Sequence, residues 1–241
     1  IIPRTILLEP FGKNTCPAIA LAALRCLQEE EDQILLVMPA DHKIDNEKML
    51  LQNIEAAKNY AMKGNLLAFG INPKSPETGF GYIKSKNNLV PNGLIGEPIE
   101  KFIEKPSIDV AKKLILDKQY TWNSGIYLFK ASSIINEINK YFPEIITSCQ
   151  KSIKNKKTDL YFERVDKDSF SDCPNISIDK AVMEKTCLGV VLSLDVGWSD
   201  IGGWKSFWEN STKDIDGNAI MGNAIGIFTK NSLLRSEKRL L

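Results

Sequence analysis

The sequence predicts an α/β fold, a largely parallel sheet with helices on both faces. Three observations carry that prediction. QILLVM at 33–38 and NLLAFGI at 65–71 are nearly continuous apolar runs, the pattern of strands buried on both faces. Segments with helical spacing alternate with such runs along the chain. Turn formers gather after a strand in PKSPETGFGY (73–82), which reads as a functional loop.

The elements follow in order. TILLE at 5–9 is a short strand, and a helix then opens near Thr15 and Pro17 with Ile19, Ala22, Ala23 and Leu27 on one side. Thr15 is the expected N-cap. A second helix covers roughly 46–63, with Gly64 where a C-cap belongs. Beyond the 73–82 loop come a strand at 98–105, a helix near 107–118, a strand near 125–130 and helices through about 154. The polar segment 155–175 shows no regular period. A helix at 177–186, a strand at 189–195 and a helix from about 202 complete the series. GNAIMGNAIGIF (217–228) repeats Gly-Asn-Ala-Ile after five residues and fits either a β-solenoid or a hairpin. The expected division is a main domain over 1–216 and the start of a small β domain over 217–241.

Composition narrows the function. With 241 residues and 43% hydrophobic content the chain can bury one substantial core. Its 31 basic and 30 acidic residues form no basic block, which argues against nucleic-acid or membrane-surface binding and leaves room for a compact anionic ligand. No apolar stretch approaches the roughly 20 residues a spanning helix needs. Five scattered cysteines and a single histidine, His42, make a zinc site improbable and point to reduced thiols in the cytoplasm. A histidine-based triad has no support either.

Sheets of this kind bind ligands outside the carboxyl ends of their strands, so polar residues there are the candidates. Asp41 follows the apolar run LVM in LVMPADHKID, and Asp200 sits among glycines and tryptophans in DVGWSDIGGW. Two such carboxylates suit Mg²⁺, which takes one or two and completes its shell with water and phosphate oxygens. A turn at Asp41 and a helix cap at Asp200 are the plain alternative. In FIEKP, Glu104 and Lys105 suit sugar hydroxyls and a phosphate respectively, or form a solvated ion pair. Asn123 in WNSG offers a donor and an acceptor, and the glycines of ETGFGY allow close backbone approach. Trp198, Trp204 and Trp208 are expected in packing.

Taken together, LLEPFGKNTCPAIALAAL, VMPADHKI, PETGFGYI, FIEKP, WNSGIYLF, SIDKAVMEK and GWSDIGGW resemble, in order, the mannose-1-phosphate guanylyltransferases, including the guanylyltransferase half of bifunctional isomerase/guanylyltransferases. The match runs from about Glu9 to Asn218. The resemblance implies a Rossmann-like, GT-A-like nucleotidyltransferase domain with a mixed, mostly parallel sheet and a small β domain after it. It implies Mg²⁺-dependent formation of GDP-mannose and pyrophosphate from GTP and mannose 1-phosphate. Asp41 and Asp200 would hold the metal and Lys105 the sugar phosphate. Glu104, Asn123 and the backbone at Gly81 would bind mannose, and Glu9 and Asn14 would lie by the guanine. Lys13 and Cys16 stand where Arg and Ala are usual. The family's GGxGTRLxPLS signature, which wraps the triphosphate, does not occur in these residues. The chain is therefore expected to be a fragment, with most of that grip upstream of Ile1 and the β domain continuing past Leu241. A non-catalytic sugar-nucleotide sensor is the competing class, and a nucleotidyltransferase for another sugar or base is a third. Homo-oligomer formation is left open.

Overall fold

The computed structural model describes residues 3–28, 32–91 and 93–238; the ends Ile1-Ile2 and Leu240-Leu241 lie outside them. In chain order the elements are β1 (Ile6–Leu8), α1 (Thr15–Cys26), β2 (Ile34–Val37), β3 (His42–Lys43), α2 (Glu47–Met62), β4 (Leu66–Ile71), β5 (Tyr82–Ser85), β6 (Glu97–Ile103), α3 (Ile108–Leu114), β7 (Tyr120–Lys130), α4 (Ala131–Tyr141), α5 (Pro143–Lys154), β8 (Lys157–Asp159), β9 (Phe162–Arg164) and α6 (Lys167–Ser171). A short π-helix at Asp179–Met183, then β10 (Gly189–Ser193), β11 (Ser199–Asp200), α7 (Trp204–Glu209), β12 (Ala219–Gly222) and β13 (Leu233–Ser236) complete the chain. Two compact units result. One runs up to Met38 and resumes over Lys48–Asp195; the other takes Pro39–Glu47 and everything from Val196 onward. The boundary expected at 216–217 falls within the second unit.

The first unit is built on a six-stranded sheet in the order β2-β7-β4-β10-β6-β5. β7 runs against β2, β4 and β5, and β6 runs against β10 and β5, while β4 and β10 are parallel. The sheet is thus mixed, as expected. Its parallel majority is one of strand direction, since β2, β4, β5 and β10 point one way. Most neighbours are nevertheless antiparallel, because β7 and β6 are inserted between them. β5 also returns to pair with β7.

Alternation along the buried strands sorts side chains to two faces. Leu66, Ala68, Tyr127, Phe129 and Val191 join a core with Ile19 and Leu21 of α1, Ile134 and Ile138 of α4, and Ile145 and Cys149 of α5. The opposite face holds Leu67, Phe69, Ile126, Leu128 and Val190, all buried. It is covered by α2, whose buried stripe is Leu50, Asn53, Ala57 and Ala61. Tyr60 of α2 accepts a bond from Gly96 N at 3.0 Å, and a Cβ at Gly96 would meet both Tyr60 and Val190. The expectation of helices on both faces is met.

Several local readings change. The N-cap of α1 is Asn14, in the left-handed region at φ +69°, and its side chain accepts from Thr15 N at 2.9 Å. Thr15 instead spends its hydroxyl on Ile178 N, 2.9 Å away. The 155–175 segment forms β8, β9 and α6, with β9 parallel to β1. β7 begins at Tyr120, ahead of the strand expected near 125–130, so WNSG lies inside the strand. Tyr82, expected to close the 73–82 loop, instead begins a strand, Tyr82–Ser85. Gly64, at φ +90°, ends α2 as expected.

In the second unit β3 and β11 form an antiparallel two-stranded ladder, while β12 and β13 pair in parallel. Parallel pairing excludes a hairpin between these two strands and matches the coil geometry of a solenoid, although the second Gly-Asn-Ala-Ile copy only begins on Gly222, the last residue of β12. Of the tryptophans, Trp204 is 73% exposed, against the packing role expected for it. Burial pushes the Cys16 thiol up to about 12. No helix among the described residues is long and apolar enough to cross a membrane.

Candidate functional site

A cleft of about 530 Å³ opens on the first unit between Asn14 and Thr15, Glu104 and Lys105, and the segment from Asn175 to Lys180. Its walls come from distant stretches tied together by backbone bonds. Cys16 N donates to Ile176 O at 3.2 Å, beside the bond from Ile178 N to Thr15 Oγ1, so the start of α1 fixes the segment leading to Asp179.

Glu104 and Lys105 follow β6, an interior strand. Glu104 turns inward, its side chain 16% exposed, while Lys105 stands at the rim at 64%. Their charged groups lie 3.7 Å apart. Lys105 has φ +48°, a left-handed conformation rare for a non-glycine residue and especially so before a proline, Pro106. Strain of that kind persists where surrounding structure holds it, often at functional sites. Burial raises the Glu104 carboxyl above its ordinary range; the Asp179 carboxylate adds to this and Lys105 opposes it.

Gly81 lies beside Glu104. A Cβ there would sit 2.7 Å from Glu104 Oε2 and 3.1 Å from the Phe102 ring. Its carbonyl accepts from Asn123 N at 2.8 Å. Gly81→Ala is therefore expected to push Glu104 out of place and cost roughly 1–3 kcal/mol of stability, measured by urea unfolding.

Asn123 owes its orientation to a bulge. Ala68 pairs with Tyr127 and Gly70 with Asn123, so β7 spends four residues where β4 spends two. Gly125 takes φ +72° there, and Ser124 Oγ repairs the ladder by donating to Phe69 O at 2.7 Å. Gly125 N donates to Asn123 Oδ1 at 3.2 Å, which fixes the amide's orientation. Both amide hydrogens are then used, one on Tyr127 Oη at 2.8 Å and one on Asp179 Oδ1 at 2.9 Å. Asn123 was expected to offer donor and acceptor; only acceptor capacity remains. Tyr127, wholly buried, donates its hydroxyl to the same Asp179 oxygen. Burial, then Asp179, hold its phenol far above the ordinary range, so it stays a donor.

Of the expected site residues, Asn14, Glu104 and Lys105 line the cleft, and Gly81 and Asn123 reach it through Glu104 and Asp179. Glu9 follows β1 and is not among the lining residues. Its Oε1 is buried with no hydrogen-bond partner among the described residues, and burial raises its carboxyl. Asp179, Tyr127 and Lys180 were missed. Their only sequence signal is SIDKAVMEK and WNSGIYLF, which nothing in local periodicity connects.

Asp41 and Asp200 belong to the second unit. Asp200 pairs with His42 across the β3–β11 ladder, and Asp41 is the residue just before that ladder begins. A Cβ at Gly202 would lie 2.9 Å from Asp200 Oδ1, so the carboxylate has close backbone on one side. Asp200 does not cap α7, whose N-cap is Gly203. His42 is structural, its Nδ1 accepting from Trp198 Nε1 at 3.1 Å. Among the described residues no three His, Cys, Asp or Glu groups cluster to hold an ion. Carboxylate oxygens are donors of the kind Mg²⁺ takes, one or two at a time.

The mannose-1-phosphate guanylyltransferase of Salmonella montevideo is 44% identical over 239 residues, 98% of this chain and 50% of its own length. The chain spans about half the length of the curated relatives it matches. Among solved structures, mannose-6-phosphate isomerase from Helicobacter pylori superposes with TM-score 0.72 at 32% identity, over 81% of this chain and 74% of that one. Mannose-1-phosphate geranyltransferase from Thermus thermophilus gives TM-score 0.77 at 24% identity, over 97% and 72%, and speaks for the fold alone. The family model described as nucleotidyl transferase matches residues 2–217, nearly all of the sequence, and the chain belongs to that family.

Proposed function

We propose that the protein transfers a guanylyl group, forming GDP-mannose and pyrophosphate from GTP and mannose 1-phosphate. One observation carries the reading: the cleft sets a lysine at its rim over a half-buried carboxylate that Gly81 alone lets close. Family membership and the names of the half-matched relatives support it.

In the proposed reaction an oxygen of the sugar phosphate attacks the α-phosphorus of GTP, the bond to the β-phosphate oxygen breaks, and pyrophosphate leaves. No covalent enzyme intermediate is needed, so the protein's work is alignment and charge neutralisation. Lys105 offsets the charge of the sugar phosphate. Glu104, Asn123 Oδ1 and the Gly81 backbone take the hexose. Glu9 and Asn14 serve the guanine; the orphaned Glu9 Oε1 is an acceptor suited to the paired N1–H and N2–H donors of that base. Asp41 and Asp200 would hold Mg²⁺, which supplies neutralisation of phosphate charge when bound. Five cysteines scattered through the sequence without a paired spacing agree with work in the cytoplasm.

The test is pyrophosphate release with GTP, UTP or dTTP against mannose or glucose 1-phosphate. GTP with mannose 1-phosphate should turn over fastest. A different preferred pair would reassign the substrate, and GDP-mannose binding without pyrophosphate release from any pair would make the protein a sensor.

A further inference from the structure

Asp179 carries more of this site than its motif suggests. Its Oδ1 accepts from both Asn123 Nδ2 and Tyr127 Oη, while its side chain lines the cleft. No hydrogen bond to Oδ2 occurs among the described residues, so that oxygen is left for a ligand. The residue opens a π-helix, an element frequent at functional sites, and the segment before it is pinned by Thr15.

The bonding has a directional consequence. Gly125 N can only donate, so Asn123 Oδ1 must face it, and Nδ2 must face Asp179 and Tyr127. The amide hydrogen on Tyr127 Oη in turn obliges the phenolic hydrogen to point to Asp179. Every donor in this group is consumed internally. What stays available is a second lone pair on Asn123 Oδ1, Oδ2 of Asp179 and the Glu104 carboxylate.

We propose that Asp179 is a positioning residue for Asn123, and that the two, with Glu104, make this end of the cleft an acceptor set that reads sugar hydroxyls. The proposal rests on the hexose 1-phosphate reading above. Lys105 and Lys180, which also line the cleft, would then meet the phosphate.

The test is calorimetric titration of this chain with mannose 1-phosphate and, separately, with inorganic phosphate. Asp179→Ala is expected to weaken mannose 1-phosphate binding about 10- to 30-fold, the usual worth of charged hydrogen bonds, while phosphate binds as well or better. Asp179→Asn keeps an oxygen for Asn123 and Tyr127 and should recover part of the loss. Tyr127→Phe should give a smaller loss, again confined to the sugar phosphate, and it decides the matter if Asp179→Ala does not fold. Equal loss of both ligands in the folded variants, or loss of neither, overturns the proposal and leaves the sugar-phosphate reading standing. A wild-type chain that does not bind mannose 1-phosphate overturns both.

Discussion

Replacing Asp200 by asparagine is expected to lower the affinity for a divalent ion, read with Mn²⁺ as the probe, by about tenfold or more. Pyrophosphate release should fall roughly 100-fold or more, the scale of losing one charge-stabilising group at a reacting phosphate. The substitution keeps the shape of the side chain and one oxygen, and it removes the charge that a hard cation prefers. Folding should be little affected: Asp200 stands in a two-residue strand and is only half buried, and its ladder bonds to His42 are made by backbone. Asp41→Asn should act in the same direction, since Asp41 is exposed and begins no regular element. Unchanged Mn²⁺ affinity in both variants would remove the metal assignment.

The residues behind that prediction show how far the sequence could be read. Asp41 and Asp200 stood out because each follows an apolar run, and the pairing that sets Asp200 opposite His42, next to Asp41 in the chain, is long-range and recorded by no local pattern. Hydrophobic runs revealed β4 and β10, which are buried on both faces, and also β2, which was expected to be so but is an edge strand with Leu36 exposed. The start of β7 was placed too late, near 125, for a physical reason: Gly125 sits in a bulge, and only the partner strand shows that the ladder continues through it. β8 and β9 escaped because each has only three residues, those of β8 all exposed, and β9 takes its place from β1 far back in the chain. Asp179 escaped because its role lies wholly in contacts with Asn123 and Tyr127, more than fifty positions away.

Glu163 supplies the second large effect, on stability. It sits in β9 with its side chain 8% exposed and bridges two cations: Arg25 Nε at 3.0 Å and Lys156 Nζ at 2.6 Å. Arg25 lies in the last turn of α1 and Lys156 just beyond α5, so one carboxylate ties the small β1-β9-β8 sheet to the helical layer. Removing one member of such a group strands the others, and Glu163→Gln should cost roughly 3 kcal/mol at neutral pH. Burial alone would raise the Glu163 carboxyl; the bonds from Lys156 and Arg25 outweigh it and hold the group below its ordinary 4.5. A carboxylate depressed on folding contributes stability that is present above the unfolded value and lost as pH falls through the folded one. Wild-type stability should therefore fall on acidification below about 4.5, the ordinary value of the group, faster than that of Glu163→Gln. Urea unfolding at steps between neutral and acid pH reads this directly: the two stabilities converge as Glu163 becomes protonated. A gap of constant size across the range would mean that the carboxylate's charge does not hold this corner of the fold.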